Sequence, residues 1–546
     1  MASKKQTITI DSILGGISPF THFSAADQFR ACLGINPSGA RTDSLTATST
    51  RGSGLLRPTP SQKLSGTTIT DTPMWILGNP KIEKVFIYDH SGSVYTTIDT
   101  APFTLTALSD GGSMTGSKGD GAAYYDNYMY FAKETTVARY GPLNGTPGFD
   151  GDYWVTTLGK AALTSDSGYP SHAQTGDFYP RHVLHRHSNG NLYIADVING
   201  EGVLHYISTT KTSVEGDTNN GSTYDKVGFG YGFYPTAICS FGDYLLIALM
   251  EANGQTGDVN SKTHAKIVLW DTTSQNINSI SNDEFPDQFI SGLLNVNGTV
   301  YIFSGNIDTF GIRVSRYVGG NSIEEVIFLE DGTPPYQGAV CNNDGQILFG
   351  SSCTTPTTAA SVYSIGLHKP SVTNGLFNIA RVSNTSAITV SAVAAPVGRN
   401  FNITFPWIGW TTGTTGGTNN GVDVPYISSY DYSSSNQVWW SQEYRIGTPF
   451  KLRRIRIPLA QTLTSSMSIV PSIWIDDTGQ RTLTTINSAN YGASTQLITL
   501  NIPPTSVPVG DHSFRIELKW TGSALCVVSL PITVEYELLD VETAYP

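Results

Sequence analysis

Short apolar strands alternating with polar turns dominate the hydrophobic pattern of this chain. The recurring unit is an apolar strand, a turn that contains Asn, Asp or Gly, and a second strand rich in aromatic and β-branched residues. Five copies are GAAYYDNYMYFA (121–132), PRHVLHRHSNGNLYIAD (180–196), PTAICSFGDYLLIA (235–248), ISGLLNVNGTVYIF (290–303) and QGAVCNNDGQILF (337–349). No segment shows a long helical period, so the pattern predicts an all-β protein.

These units repeat at a regular spacing along the chain. A third strand follows each copy, and a sixth, compressed copy is KVFIYDHSGSVYTTI at 84–98, with PMWILGN before it. The equivalent turn glycines Gly190, Gly242, Gly298 and Gly345 are 52, 56 and 47 residues apart. This period, with three or four strands per unit, is typical of β-propeller blades. We predict a six-bladed β-propeller over 46–375, or a seven-bladed one if 141–180 or 376–394 supplies another blade.

The C-terminal part has a different pattern. Alternating runs such as QVWWSQEYRI, FKLRRIRIPLA, MSIVPSIWID and HSFRIELKW are separated by turn signals at intervals typical of a β-sandwich. We predict that 376–546 holds a linking segment and a jelly-roll-like β-sandwich of roughly eight strands. Four tryptophans of this part, Trp407, Trp410, Trp439 and Trp440, are candidate ligand-binding residues, because indole rings stack on sugars. They are equally candidates for a core or a subunit interface, since Trp is usually well buried.

Residues 1–45 match neither pattern and are predicted to form an N-terminal arm. The arm is largely apolar, with Phe20, Phe23 and Phe29, and contains the pair Gly15–Gly16. Apolar surface of this size needs a cover. The cover is either the chain itself or a neighbouring subunit, and we expect the arm and the sandwich to make contacts between chains.

The amino-acid composition restricts the classes of partner that the chain can bind. The net charge is −12 and charged residues are only 14% of the chain, which argues against nucleic-acid binding. The basic run KLRRIRI (451–457) alternates with apolar residues and is predicted to be a solvated strand face. The five cysteines, Cys32, Cys239, Cys341, Cys353 and Cys526, have no paired spacing and are predicted to be buried thiols. The N-terminus shows no secretion signal and no apolar run approaches about 18 residues, so we expect synthesis in a cytoplasm and no membrane insertion.

Few residues of the sequence are candidates for catalysis or metal binding. His182, His185 and His187 lie within six residues, and imidazole is a common metal ligand. Strand alternation predicts that His182 points away from the other two, so we expect polar blade residues rather than a metal site; a pH-sensitive contact is the other alternative. No phosphate-binding, zinc-protease or serine-hydrolase motif is present. We therefore expect no enzyme activity, no catalytic residues, no metal and no cofactor.

Two kinds of resemblance add to this interpretation. The 180–208 repeat resembles NHL-type propeller blades. ITIDSILGGISPFTHFSAADQFRACLGINPS near the N-terminus and YRIGTPFKLRRIRIPLAQTLTSSMSIVPSIWIDD…LTTINSANY near the C-terminus resemble virion-associated proteins of tailed bacteriophages. The second resemblance implies a structural role in the virion, on or in the tail, with assembly in the host cytoplasm. Its implied partners are other copies of the chain and other virion proteins. A host-glycan-binding receptor protein and, less favoured, a glycan-degrading enzyme are the alternatives.

Overall fold

The computed structural model of the chain is built almost wholly of β-strands. It describes residues 5–13, 15–18, 28–36, 55–59, 61–78, 83–98, 103–108, 121–165, 181–208, 228–251, 264–273, 278–279, 286–306, 311–320, 322–329, 332–343, 346–351, 360–365, 375–384, 386–395, 406–413, 419–424, 437–476, 479–502 and 513–539. The chain forms two compact units. We call Lys63–Ala360 with Asn384–Val424 the propeller unit, and Met1–Gln62 with Ser361–Ser383 and Pro425–Pro546 the sandwich unit.

The strands and helices have the following bounds. The strands are β1 (Lys5–Ile10), β2 (Gly16–Ile17), β3 (Gln28–Leu33), β4 (Ile35–Asn36), β5 (Leu55–Pro58), β6 (Gln62–Lys63), β7 (Ser65–Gly66), β8 (Pro73–Gly78), β9 (Lys84–Asp89), β10 (Val94–Ile98), β11 (Thr104–Ala107), β12 (Ala122–Tyr125), β13 (Tyr128–Ala132), β14 (Val137–Gly141), β15 (Gly148–Asp150), β16 (Leu184–Arg186), β17 (Asn191–Ile198), β18 (Glu201–Ser208), β19 (Gly228–Tyr231), β20 (Phe233–Phe241), β21 (Tyr244–Glu251), β22 (Ala265–Trp270), β23 (Asn278–Ser279), β24 (Phe289–Val296), β25 (Thr299–Gly305), β26 (Ile312–Gly319), β27 (Ser322–Leu329), β28 (Val340–Asn343), β29 (Gln346–Ser351), β30 (Ser361–Ile365), β31 (Leu376–Arg381), β32 (Thr389–Ala394), β33 (Trp407–Thr411), β34 (Asn420–Val424), β35 (Val438–Ser441), β36 (Tyr444–Arg445), β37 (Phe450–Pro458), β38 (Ile469–Ile475), β39 (Gly479–Thr482), β40 (Leu497–Asn501), β41 (Ser513–Trp520), β42 (Val528–Ser529) and β43 (Ile532–Leu538). In the residues that the structure describes, the helical segments are a π-helical turn at Tyr153–Thr157, a 3₁₀ turn at Gln337–Ala339 and α1 (Ser488–Tyr491).

The propeller unit has seven blades in the part of the chain that the structure describes. Within this unit, the sheets are β8 to β11, β12 to β15, β16 to β19, β20 to β23, β24 to β27, the pair β28 and β29, and β32 to β34. Each inner strand contacts the inner strand of the next sheet, from β8 through β12, β16, β20, β24 and β28 to β32, and β32 contacts β8. The predicted β-propeller is therefore confirmed, with the seven-bladed form observed.

The seventh blade begins within 376–394, one of the two segments named above as its possible source, and continues into the part predicted to be sandwich. It consists of β32, β33 and β34, and the segment at 63–64 continues its sheet, with Leu64 N donating to the carbonyl of Val422 at 2.9 Å. The fourth strand of the blade is thus supplied by residues that precede the first blade. The region 376–546, predicted to hold a linking segment and a sandwich, is divided between the two units, because 384–424 belongs to the propeller unit and 425–546 to the sandwich unit.

Turn glycines fix the blade hairpins as the repeat pattern predicted. Gly190, Gly242 and Gly298 have φ of 85°, 59° and 86°, in the left-handed region that glycine adopts without steric cost. Asn297 precedes Gly298 with φ of 52°, which gives the tight Asn-Gly turn between β24 and β25. Gly345, the fourth glycine of the series, lies outside the described residues.

The sandwich unit contains two main sheets. One has the order β1-β43-β37-β40, and the other has the order β2-β3-β35-β41-β38-β39, with β36 also paired to β41. Phe450 of β37 and Phe514 of β41 pack across the two sheets with ring centroids 5.8 Å apart. From β37 to β43 the long strands alternate between the two sheets, in agreement with the predicted jelly-roll-like β-sandwich.

The N-terminal segment supplies strands of this sandwich. β1 pairs with β43, from Lys5 opposite Glu537 to Ile10 opposite Ile532, and β3 pairs with β35. Phe29 is 1% exposed and packs against Phe377 and Trp439. Phe29 is thus covered within the chain, which is one of the two alternatives that the sequence left open, whereas Ile8, Ile17 and Leu33 are half-buried. Phe20 and Phe23 lie outside the described residues.

Two smaller expectations are confirmed where the structure describes them. On β37, Leu452, Ile455 and Ile457 are buried, and the arginines between them face Glu535 and Glu537 of β43. Cys32, Cys239 and Cys526 are buried free thiols and Cys341 is a half-buried one, whereas Cys353 lies outside the described residues. Among the described residues, no helix has the length and apolar character needed to cross a membrane.

Candidate functional site

Two of the four candidate tryptophans belong to the propeller core. Trp407 and Trp410 lie on β33, and each is 1% exposed. Trp407 packs edge-on against Phe103 at 5.1 Å, and the Trp410 indole N–H donates to a carboxylate oxygen of Asp423 at 2.8 Å. Both residues lie in the propeller unit and not in the predicted sandwich, and their enclosed rings fit the core alternative rather than ligand binding.

Trp439 and Trp440 are consecutive on β35 and therefore point to opposite faces of the sheet. Trp439 is 0% exposed and lies in the core, 6.4 Å from the ring of Phe29. Trp440 is half-buried on the other face. Only Trp440 of the four candidates therefore remains available to a ligand.

Trp440 belongs to a group of side chains that we call the outer aromatic cluster. Its members lie on four strands of one sheet, β35, β38, β39 and β41, and are Trp440, Trp474, Gln480, Arg515 and Glu517. On β41, Ile516 and Leu518 fill the core, so Arg515 and Glu517 point to the outer face. Cross-strand register places Trp440 opposite Glu517, and Trp474 opposite both Arg515 and Gln480.

The two indoles flank a guanidinium group. The Trp440 and Trp474 ring centroids are 6.5 Å apart, and the guanidinium carbon of Arg515 lies 5.1 Å and 4.5 Å from them. Both distances are in the range of cation–π attraction. Arg515 is only 6% exposed, whereas both indoles are half-buried. The rings thus form the accessible layer of the cluster, with the charged group enclosed between them.

Glu517 is held at one of its two carboxylate oxygens. The Trp474 indole N–H and the Gln480 amide both donate to Oε2, at 2.8 Å and 3.0 Å. Oε1 accepts no hydrogen bond from the described part of the chain, although Glu517 is only 7% exposed. The indole N–H of Trp440 also has no acceptor among the described residues. A preoriented carboxylate with one unused oxygen is a built acceptor for an incoming hydroxyl or N–H group.

The sequence identified one member of this cluster and missed four. Trp474, Arg515 and Glu517 lie in apolar runs that were assigned correctly as strands. Their alternation with Ile473, Ile516 and Leu518 was the available signal, because it marks polar and aromatic residues at outward positions. No local sequence pattern shows which strands are neighbours in the sheet, so the meeting of these residues could not be predicted.

The three histidines take two directions, as alternation predicted. His185 Nε2 and His187 Nδ1 both lie 2.8 Å from the hydroxyl of Ser240 in the next blade. His182 faces the preceding blade, with Nε2 3.1 Å from the carbonyl of Glu134. Burial, and then the neighbouring His187, lowers the pKa of His185 to about 4. Among the described residues, no three His, Cys, Asp or Glu side chains are grouped so as to hold a metal ion.

Buried carboxylates elsewhere bind groups of the propeller itself. Asp89 accepts from the Ser91 hydroxyl at 2.7 Å and the Ser93 amide at 2.8 Å. Asp287 accepts from Ser304 at 2.5 Å and from Arg313 at 3.0 Å. These contacts tie strands and turns together, and they engage the oxygens that acid–base chemistry needs.

No protein-family model matches the chain, and no curated protein matches it. Among solved structures, the chain is similar to the computationally designed Ika8 protein, with a TM-score of 0.38 and 14% identity over 67% of this chain and 100% of that chain. It is also similar to the β-propeller domain of Cps50 (Swd1) from Myceliophteria thermophila, with a TM-score of 0.38 and 11% identity over 67% and 100% of the two chains. A third is the exo-β-1,3-galactanase from Phanerochaete chrysosporium, with a TM-score of 0.29 and 9% identity over 68% and 98%. Likenesses at these scores carry no inference about activity.

Proposed function

We propose that the protein is a structural component of a tailed-bacteriophage virion, associated with the tail and present in several copies. One observation carries the proposal. The two segments that resemble phage virion proteins stand at opposite ends of the sequence, yet β1 and β3 of the first pair with β43 and β35 of the sandwich that contains the second. Their pairing in one sandwich unit supports treating the resemblance as that of a folded module.

The surface of the sandwich is the part that we propose contacts other copies and other virion proteins. β40 ends one sheet in the described part of the chain, where it pairs with β37 on one side. An edge strand carries unpaired backbone groups that a second chain can extend. Leu497 at the start of β40 is 54% exposed, which adds apolar contact area to this edge. The N-terminal segment, whose β1 and β3 are paired within the chain, contributes through the sandwich.

We further propose that the protein is not an enzyme and works in the virion after assembly in the host cytoplasm. The buried carboxylates Asp89 and Asp287 support the first of these points, because side chains and amides of their own blades already occupy their oxygens. The second candidate function is binding of a host surface glycan. The outer aromatic cluster favours it.

The proposal is tested on gradient-purified particles of the phage that encodes this chain. Quantitative mass spectrometry is expected to find several copies per particle, and electron-microscopy density of the tail is expected to hold a seven-bladed propeller beside a sandwich. Leu497→Lys is expected to lower incorporation, whereas Ile98→Lys, at a residue of the propeller unit that is 52% exposed, serves as the matched control. Absence of the chain from washed particles overturns the proposal.

A further inference from the structure

The outer aromatic cluster is not explained by folding alone. The outer face of a sandwich sheet is ordinarily solvated and polar, while its inner face carries the core. Here two indoles, Trp440 and Trp474, stand on that outer face and are half-buried, next to Ile473 and Ile516, which are 0% exposed on the inner face. Half-buried indoles on such a face keep part of each ring open to a ligand or partner.

The polar atoms of the cluster define what such a ligand must offer. Glu517 Oε2 is fixed by Trp474 and Gln480, and this leaves Oε1 as an oriented acceptor without a donor in the described part of the chain. A hydrogen bond to a charged acceptor is among the stronger ones available to a ligand hydroxyl. An apolar partner surface would leave this oxygen desolvated and unpaired, which is unfavourable.

The charges restrict the ligand further. Arg515 and Glu517 stand two residues apart on the same face, so the cluster holds one charge of each sign. The guanidinium lies between the indoles, whereas the unused Oε1 is the group left to meet a ligand. A carboxylate or sulfate on the ligand would meet this negative oxygen and be repelled.

We propose that the outer aromatic cluster binds a neutral glycan, with a sugar hydroxyl donating to Oε1 of Glu517 and the CH face of a sugar ring packing on Trp440 or Trp474. Sugar rings combine these two features, because hydroxyls project from the ring edge while CH groups form an apolar face that meets an indole. The site holds whether or not the chain is part of a virion. The proposal rests on the second candidate function, glycan binding, and specifies its ligand. It does not depend on the proposed role in the virion.

The test uses the purified full-length chain on an array of neutral gluco-, galacto-, manno- and xylo-oligosaccharides, with sulfated and sialylated glycans beside them. The best neutral glycan is then titrated by calorimetry and by tryptophan fluorescence, because stacking shields a half-buried indole from acrylamide quenching. We expect saturable binding of at least one neutral glycan. Binding of anionic glycans alone, or of none, overturns the proposal.

Variants connect the binding to the cluster. Glu517→Gln keeps the shape and removes the charged acceptor, and is expected to weaken binding about tenfold or more. Trp440→Ala removes one ring and is expected to weaken it similarly. Gln480→Ala, on the exposed strand β39, loosens Glu517 without altering the core and is expected to give a smaller loss. Melting curves and circular dichroism establish that each variant is folded.

Arg481→Ala is the matched control. Arg481 is exposed on the same strand as Gln480, but it stands opposite Ile473. Because side chains alternate along a strand, Arg481 points to the face of the sheet opposite to that of Gln480. It is expected to bind the glycan as the unaltered chain does. Folded Glu517→Gln and Trp440→Ala variants with unchanged affinity overturn the proposal. So does light scattering that shows these substitutions dissociating a dimer, because the face would then serve a second copy of the chain.

Discussion

Asp196 connects three parts of the propeller unit through one buried carboxylate. It is 1% exposed and accepts hydrogen bonds from the amide of Val197 at 2.8 Å, the amide of Thr164 at 3.2 Å and Nε2 of His205 at 3.3 Å. His182 Nδ1 lies 3.8 Å away on the other side. The carboxylate therefore holds its own strand, the neighbouring β18 and the segment that follows the π-helical turn in one arrangement.

Replacing Asp196 with Asn is expected to destabilise the propeller unit by about 3 kcal/mol. Asn has nearly the same volume, so the loss is electrostatic rather than steric. Its amide must present an N–H group toward Thr164 N or His205 Nε2, where the carboxylate presents an acceptor. Leaving a buried polar group without its partner typically costs about 1–3 kcal/mol, and more where one partner is charged. Because Asp196 is the charged partner and the retained Asn oxygen still accepts one hydrogen bond, we expect a value near about 3 kcal/mol.

The pH dependence gives an independent test of the same reasoning. Burial raises the pKa of Asp196, but the hydrogen bond from His205 and the interaction with His182 outweigh it and hold the pKa below its usual value. A carboxylate with a lowered pKa in the folded state stabilises the fold above its unfolded pKa of about 3.9, and that contribution is lost as the pH falls through the folded pKa. The gap between the unaltered chain and Asp196→Asn should therefore be full at pH 7 and narrow below about pH 4.

Chemical denaturation at pH 7 and at several acidic pH values measures this gap. About 3 kcal/mol corresponds to a fall in melting temperature of roughly 6 °C for a large domain. Asp243→Asn is the control, because Asp243 is exposed and it is its backbone carbonyl that contacts His187. The control should change stability by less than about 0.5 kcal/mol. A loss below about 1 kcal/mol for Asp196→Asn, or a gap that does not change with pH, would refute the account of this carboxylate.

Three further outcomes follow from the packing. Deleting residues 2–40 removes β1 and β3, so calorimetry should show loss of the sandwich transition while a propeller transition remains; a truncated chain with both transitions contradicts the observed pairing. Gly338→Ala places a methyl group 2.0 Å from the carbonyl oxygen of Met74, which should destabilise the propeller unit by about 1–3 kcal/mol, whereas Gly148→Ala meets no atom within 4 Å and should be nearly neutral. His185, whose pKa is lowered to about 4, should show no titration between pH 5 and 8 by NMR, and a midpoint near 6.5 would contradict its burial beside Ser240.

The sequence predicted those parts of the fold that depend on neighbours in the chain. The blade hairpins could be found because turns such as Asn297–Gly298 impose their geometry locally, through backbone angles that few residues other than Gly, Asn and Asp adopt. The seventh blade remained only an alternative, with 376–394 as one possible source, because β33 and β34 lack such a turn pattern and the strand that completes the sheet precedes the first blade. The pairing of β1 with β43 had no local signal either, since Lys5 and Glu537 stand near opposite ends of the sequence.

The candidate site shows the same limit. Trp440 could be named from the sequence because consecutive tryptophans on a strand must point to opposite faces, so one of Trp439 and Trp440 had to leave the core. Trp474 and Glu517 could be placed on an outward face by counting alternate positions. Their meeting with Trp440 depends on the order β35-β41-β38, which follows from the packing of the whole sandwich and not from any one strand.

Both units are completed by pairing an early segment with a late one. Leu64 bonds to Val422 in the propeller unit, and Lys5 pairs with Glu537 in the sandwich unit. Neither closure can form until the later partner has been synthesised, and contacts this distant in sequence are slow to form because the long intervening loop must first be ordered. The sandwich closure becomes possible later than the propeller closure, because Glu537 follows Val422 in the sequence. The edge at β40 and the outer aromatic cluster, whose strands also follow Val422, are therefore formed from chain that is synthesised after the last strand of the propeller unit.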